Sequence, residues 1–352
     1  MRLFSTEQVS KYHPDKYADQ ISDAVLDACL AADPNSRVAC EAMVKGSTII
    51  LAGEISTRAE VDFAAVALRV ASKLRYPVSQ VLTYIDAQSP EIAAGVGSGL
   101  RQGAGDQGMM YGYATWETAS RLPFGFDLAN RIIKAIEDDV DSNPDTVFRG
   151  DAKCQVTVDL GAAPGMASVK TILVSACHHP EVSPMAVRHS VFELLWDLGV
   201  DTKAVEVLVN PAGAWTLGGP AADCGLTGRK IVCDQYGGFC PVGGGAFSGK
   251  DPSKVDRSGA YMARAIARDL IEVFDIASAE VQLAYAIGRP DPVSVHVAVK
   301  TRAGARHYGV YDRWVRRNYD LTPSGIIKSL RLLTPGYEKR AEGCHFREGA
   351  WE

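Results

Sequence analysis

Apolar and polar positions along the chain follow two periods. Over residues 38–44 and 48–54 they alternate every second residue with Gly46 between, which predicts a strand hairpin. Residues 58–74 follow at helical spacing. The theme returns further on. Cys154, Val156, Val158 and Leu160 alternate with Gln155, Thr157 and Asp159, the chain turns over 161–165, and a second strand runs over 169–177. A helix over 184–198 then places Val187, Val191, Leu194, Leu195 and Leu198 on one face, with Gly199 as its stop and 205–209 closing the unit. A third hairpin pairs 281–287 with 293–299 across a Gly-Arg-Pro-Asp-Pro turn. Short helices follow near 311–318 and 323–332, the latter with Thr322 as N-cap and Pro323 at its first position. One more helix opens at Pro14, with Ala18, Ile21, Val25 and Ala28 on one face. Hairpins backed by helices predict an α+β chain rather than a parallel doubly wound sheet. No residue-by-residue repeat and no low-complexity linker separates the units, so they are expected to pack as one body.

Composition narrows the class. The 352 residues are 47% apolar and 22% charged, the usage of an ordinary globular protein able to bury a large core. A net charge of −5 gives no general affinity for nucleic acid or acidic lipid. The last 52 residues hold ten Lys/Arg against six Asp/Glu, read as a solvated basic face. Eight cysteines, none in a C-x-x-C pair, read as small hydrophobes of a reduced intracellular protein. His178-His179 reads as an exposed strand end rather than a metal site. No signal peptide or membrane-length apolar run is present, so the cytoplasm is the expected location.

Chemistry concentrates in 243–256, Gly-Gly-Gly-Ala-Phe-Ser-Gly-Lys-Asp-Pro-Ser-Lys-Val-Asp. Glycines allow close backbone approach to a ligand, lysines add mobile charge for phosphate, and an acid beside them holds magnesium. Gly244–Lys250 fits seven positions of a P-loop, but Asp251 lacks the hydroxyl required at the eighth and no apolar strand leads in. Gly103–Gly108 fits G-x-G-x-x-G without the strand a dinucleotide fold needs; it reads as a glycine-rich wall bearing one buried acid, Asp106. His13-Pro14-Asp15-Lys16 opens a helix, where phosphate is favoured and Asp15 has the chemistry of a metal ligand. Asp151-Ala152-Lys153 is expected at the mouth of the strand 154–160, a rigid place from which to aim charge. Asp223–Lys230 adds an acid and two adjacent cations, Arg229 and Lys230.

These blocks together resemble the S-adenosylmethionine synthetase (methionine adenosyltransferase) family. The matching residues are His13–Lys16, Gly103–Gly108, Asp151–Lys153, Gly218–Lys230 and Gly243–Asp256, within a likeness running from Phe4 to about Glu348. The resemblance implies three similar α+β domains about a pseudo-threefold axis, at 1–90, 101–214 and 217–352. It implies a dimer, or a dimer of dimers, with active sites between subunits. The implied reaction joins ATP and L-methionine into S-adenosylmethionine, with diphosphate and phosphate released, using two magnesium ions per site and potassium. The alternatives are a relative that hydrolyses tripolyphosphate or ATP, and an ATP-binding regulatory paralogue.

The resemblance also assigns roles. His13 would stabilise the departing oxygen, and Asp15 and Asp256 would hold magnesium. Lys153, Arg229, Lys230 and Lys250 would grip phosphates. Asp151 would meet the ribose, Trp215 would stack on adenine and Ile287 would line its pocket. Glu54, Gln88, Asp106, Asp223 and Lys254 would surround methionine, and Glu41 would bind potassium. Residues 88–101, with Gly95, Gly97 and Gly99, are expected to form a lid. The chain departs from the family pattern at Lys11-Tyr12, usually Glu-Gly, at Trp116, at Pro241-Val242 and in a shorter 74–88 segment, and it ends without the usual final helix.

Overall fold

The computed structural model describes residues 1–87 and 103–347. Gln88 and the expected lid over 88–101 lie outside the described residues. In chain order the strands are β1 (Leu3–Val9), β2 (Arg37–Lys45), β3 (Thr48–Ser56), β4 (Gln80–Asp86), β5 (Gly108–Thr115), β6 (Phe148–Asp159), β7 (Val169–His178), β8 (Glu206–Val209), β9 (Gly225–Leu226), β10 (Ile276–Tyr285), β11 (Ser294–Thr301) and β12 (Arg306–Tyr308). The helices are α1 (Pro14–Ala32), α2 (Phe63–Lys73), α3 (Phe124–Ser142), α4 (Pro184–Asp197), α5 (Gly219–Ala222), α6 (Ile231–Asp234), α7 (Val255–Val273), α8 (Asp312–Asn318), α9 (Pro323–Ser329) and α10 (Tyr337–Arg340).

Three four-stranded sheets result, ordered β4-β3-β2-β9, β1-β6-β7-β8 and β12-β11-β10-β5. Each centres on an antiparallel hairpin read from the alternation: β2/β3, β6/β7 and β10/β11. Each hairpin is preceded by a helix of 19 residues, α1, α3 or α7, which lies on its sheet. Alternation predicted the hairpins because one face of each is buried under its helix. Val38, Cys40, Ala42 and Val44 point inward from β2, and Val281, Leu283, Val295 and Val297 from β10 and β11.

The sheets interlock. β1 pairs with β6, β5 with β10 and β9 with β2, so each sheet takes an edge strand from a distant stretch of sequence. α3 and α7 complete the plan that the sequence showed only at α1. β5 carries no clean alternation because Gly112 lies against α7; a Cβ there would sit 2.0 Å from the Ala263 carbonyl. The helix expected from Arg58 begins at Phe63, where Asp62 caps it by accepting the Ala65 amide at 2.9 Å. Thr322 caps α9 as expected, its hydroxyl accepting the Gly325 amide. The last described residues turn inward, with Phe346 stacked on Tyr236 at 5.1 Å.

Candidate active site

The site is organised by α1. Asp15, Asp19, Asp23 and Asp27 recur every fourth residue and therefore share one helix face. Asp15 accepts the Leu226 amide at 3.0 Å, Asp19 the Gly228 amide at 2.8 Å and Asp23 the Gly249 amide at 2.8 Å. Asp27 accepts the amides of Gly336, Tyr337 and Glu338 at the start of α10. One stripe of carboxylates thus fixes three loops of the C-terminal third. Two stripe members are also buried ion pairs: Asp19 with Lys16 at 3.0 Å, and Asp23 with Arg257 at 2.6 Å.

The same loops hydrogen-bond to β2. The Thr227 amide donates to the Ala42 carbonyl, and Leu226 and Gly225 pair with Met43 and Val44. Four residues along, Lys250 forms an antiparallel bridge with Ala39, the Cys40 amide donates to the Gly249 carbonyl, and the buried Asp251 accepts the Val38 amide. At roughly 3.3 Å per residue the two attachment points lie ~13 Å apart. Three of the four glycines in 243–249 lie against the chain itself. A Cβ on Gly249 would meet the Cys40 carbonyl at 1.9 Å, and one on Gly245 would meet the Asp256 carboxylate at 2.3 Å. Gly249 lets the loop touch β2 and so seats Lys250 on that strand, while Gly243 lies against Met109 of β5.

Around the first attachment point stand His13, Asp15, Asp151, Lys153, Asp223, Arg229 and Lys230. Asp15 is almost wholly buried, with Lys230 Nζ at 2.5 Å and Arg229 Nε at 3.7 Å. Burial alone would push its carboxyl up; the Lys230 hydrogen bond and the Leu226 amide outweigh this and hold it below the ordinary value. His13 is the N-cap of α1, and its Nδ1 accepts the Asp15 amide at 3.1 Å. Burial, then the charges of Lys230 and Lys153, press its imidazole down to about 3. Asp151 is buried, one oxygen accepting the Gly219 amide at 2.7 Å and the other, Oδ1, without a partner. Burial pushes this carboxyl up to about 6, against the pull of the Gly219 bond and Lys153. Asp151 and Lys153 lie inside β6 rather than at its mouth, because the strand runs back to Phe148 through a bulge between Phe148 and Ala152. Lys153, Asp223 and Arg229 present exposed side chains. Trp215 is half-buried beside this group; its indole donates to the Leu217 carbonyl, and its backbone exchanges bonds with His178. His178 is therefore buried, not exposed as expected, with both ring nitrogens engaged.

The second attachment point gathers Glu41, Glu54, Lys250, Lys254 and Asp256. Lys250 Nζ lies 2.5 Å from Asp256, in the first turn of α7, and Lys254 is bonded to Asp251. Glu41 and Glu54 reach the open face of the β2/β3 hairpin; partial desolvation, then the Glu54 charge, pushes the Glu41 carboxyl up. Asp106 is not buried. It lies exposed in a turn, its carboxylate accepting the amide of Gln107 at 2.7 Å, because a parallel bridge between Ala104 and Ile287, with bonds to Gly288 and Arg289, leaves the tip of that loop outside. Ile287, also exposed, pairs with Ala104 across the same contact.

Among the described residues no three His, Cys, Asp or Glu side chains gather closely enough to enclose a metal. Asp15 and Asp256 instead offer single carboxylates, each beside a lysine. Such hard oxygen donors fit magnesium, which binds through one or two carboxylates plus substrate phosphates. The Glu41 carboxylate likewise fits an alkali cation.

Sequence reasoning missed the wider aspartate stripe, Asp251, Arg257 and His178. The spacing of four along α1 was the available signal. Asp251 meets Val38, 213 residues away, and His178 meets Trp215, 37 residues on, contacts that left no local trace.

Clustered cations, a neutral histidine at a helix start and separated carboxylates on an interlocked three-sheet α+β frame suit a substrate that carries phosphate. The chain matches the S-adenosylmethionine synthetase N-terminal domain over 1–97, the central domain over 101–215 and the C-terminal domain over 217–352. It is 43% identical to the S-adenosylmethionine synthase of Sorangium cellulosum, covering 99% of this chain and 87% of that protein. It is 40% identical to that of Petrotoga mobilis, covering 98% and 93%. A solved S-adenosylmethionine synthetase from Campylobacter jejuni superposes with a TM-score of 0.88 at 31% identity, over 99% of this chain and 97% of the other. The chain belongs to the S-adenosylmethionine synthetase family, the methionine adenosyltransferases. No helix among the described residues is long and apolar enough to cross a membrane.

Proposed function

We propose that this chain forms S-adenosylmethionine by in-line attack of the methionine sulfur on the 5′ carbon of ATP, and then cleaves the tripolyphosphate in the same site. The thioether has no proton to lose, so neither a general base nor a covalent nucleophile is needed. The barrier lies in the charge gathering on the triphosphate, which fixed cations stabilise. Lys153, Arg229 and Lys230 stand at one attachment point on β2 and Lys250 at the other.

The observation that carries this reading is the state of His13. Its Nδ1 accepts a backbone amide, so the ring proton sits on Nε2, and burial among cations keeps the ring neutral. The neutral imidazole offers the departing oxygen a hydrogen bond from Nε2 and keeps that proton. This suits a leaving group that is already a weak base. Magnesium at Asp15 and Asp256 supplies further neutralisation of phosphate charge when bound. Asp151 Oδ1, buried and unpartnered, suits a ribose hydroxyl. Glu54, Gln88, Asp106, Asp223 and Lys254 take methionine, Trp215 and Ile287 the adenine, and Glu41 potassium. The open face bearing Glu41 and Glu54 fits completion of the site by a second subunit.

The test supplies ATP, methionine, magnesium and potassium and measures all products. Equal amounts of S-adenosylmethionine, diphosphate and phosphate are expected. Phosphate release without S-adenosylmethionine would overturn the synthetase reading in favour of a hydrolase.

A further inference from the structure

Lys11 and Tyr12 depart from the family pattern, and the structure gives them a common partner. Both side chains end on the carboxylate of Asp141, near the end of α3: the Lys11 ammonium and the Tyr12 hydroxyl each donate to it. The Lys11 amide donates to Glu137, one turn earlier on the same helix, at 2.6 Å. The Lys11 carbonyl accepts from Gln20 of α1 at 2.7 Å. On its other side the segment is fastened to the β6 bulge. Ser10 exchanges bonds with the Gly150 carbonyl at 2.8 Å and the Ala152 amide at 3.1 Å, and its own amide donates to the Ala152 carbonyl. The Tyr12 ring covers Gly150, whose φ is +96°; a Cβ there would lie 2.6 Å from the ring. The bulge so pressed holds Asp151, Lys153 follows it two residues on in the regular strand, and the residue after Tyr12 is His13.

We propose that Tyr12 and Asp141, assisted by Lys11, are positioning residues. They clamp the start of α1 between α3 and the β6 bulge, and so set His13 against Asp151 and Lys153. The proposal rests on the reading that these three residues meet ATP. The hydroxyl and the carboxylate are not needed for the core. Asp141 is 41% exposed at its side chain, and Tyr12→Phe keeps the ring on Gly150.

Tyr12→Phe, Asp141→Asn and the double variant separate positioning from folding. Each single change is expected to lower kcat for S-adenosylmethionine by about 10-fold, since displacement of reacting groups by an ångström costs up to ~100-fold. KM for methionine should stay at its wild-type value in both, and the melting temperature should stay unchanged in Tyr12→Phe, whose ring remains on Gly150. The double variant should be no worse than Asp141→Asn alone, because the Tyr12 hydroxyl acts through Asp141. Wild-type kcat in both single variants would overturn the proposal, as would additive losses that track a falling melting temperature. Should the wild-type protein prove unable to make S-adenosylmethionine, affinity for a non-hydrolysable ATP analogue reads the clamp separately. It should fall about 10-fold in Tyr12→Phe, and unchanged affinity would sink the clamp independently of the reaction.

Discussion

Asp151 offers a prediction whose size comes from its surroundings. Its carboxyl rises from the ordinary 3.8 to about 6 because burial penalises the charge while only the Gly219 amide serves it directly. At 1.36 kcal/mol per pH unit this corresponds to roughly 3 kcal/mol. The folded chain holds the proton more tightly than the unfolded one. The stabilising contribution is therefore complete below pH 3.8 and is lost as pH rises through about 6. Asp151→Asn carries a fixed cost from its buried amide, but that cost does not change with pH. Urea unfolding of both proteins at pH 5 and pH 8 thus isolates the titration. Half of the effect is already spent at pH 5, so relative to wild type the variant should gain about 1.4 kcal/mol between those two values. In the active protein, a ribose hydroxyl donating to Oδ1 needs the ionised form. kcat/KM for ATP should then rise with pH through an apparent pKa near 6 in wild type, and that limb should vanish in Asp151→Asn. Parallel stability curves for the two proteins, or an acid limb that survives in the variant, would refute the reasoning.

Other expectations follow from the same geometry. Lys153→Met should leave the circular dichroism spectrum unchanged and lower turnover by about 100-fold, the loss expected for one charge-stabilising contact; near-normal turnover removes Lys153 from the phosphate grip. Asp23→Ala strands the fully buried Arg257 guanidinium and frees the Gly249 amide. It should cost ~3–5 kcal/mol in denaturant unfolding, and a loss below ~1 kcal/mol would show that the stripe on α1 is not what holds the loop. Asp256→Asn should raise the magnesium concentration needed for half-maximal rate, and an unchanged titration would exclude Asp256 as a ligand.

The sequence alone determined the elements whose period is enforced by burial on one side. The hairpins β2/β3, β6/β7 and β10/β11 alternate because a helix covers one face of each. The helix α4 shows its stripe, and Thr322 and Pro323 mark the start of α9. The chemical blocks around His13, Asp151, Arg229 and Lys250 were legible too, because charge and glycine stand out locally. Only the tertiary structure decided what those blocks face. Gly249 closes on β2, the Asp106 carboxylate falls outside on a loop tip, and Asp151 is lodged within a bulged strand. The edge strands β1, β5 and β9 were illegible for a related reason. Each pairs with a stretch far away in sequence, so its pattern answers to a distant neighbour rather than to its own period. Burial, and with it the low pKa of His13 and the high one of Asp151, arises only when α1, β6 and the loop before α6 are brought together. The four aspartates of α1 lie between the two cases. Their spacing was visible in the chain, but the amides they hold come from loops more than two hundred residues on, which only folding could supply.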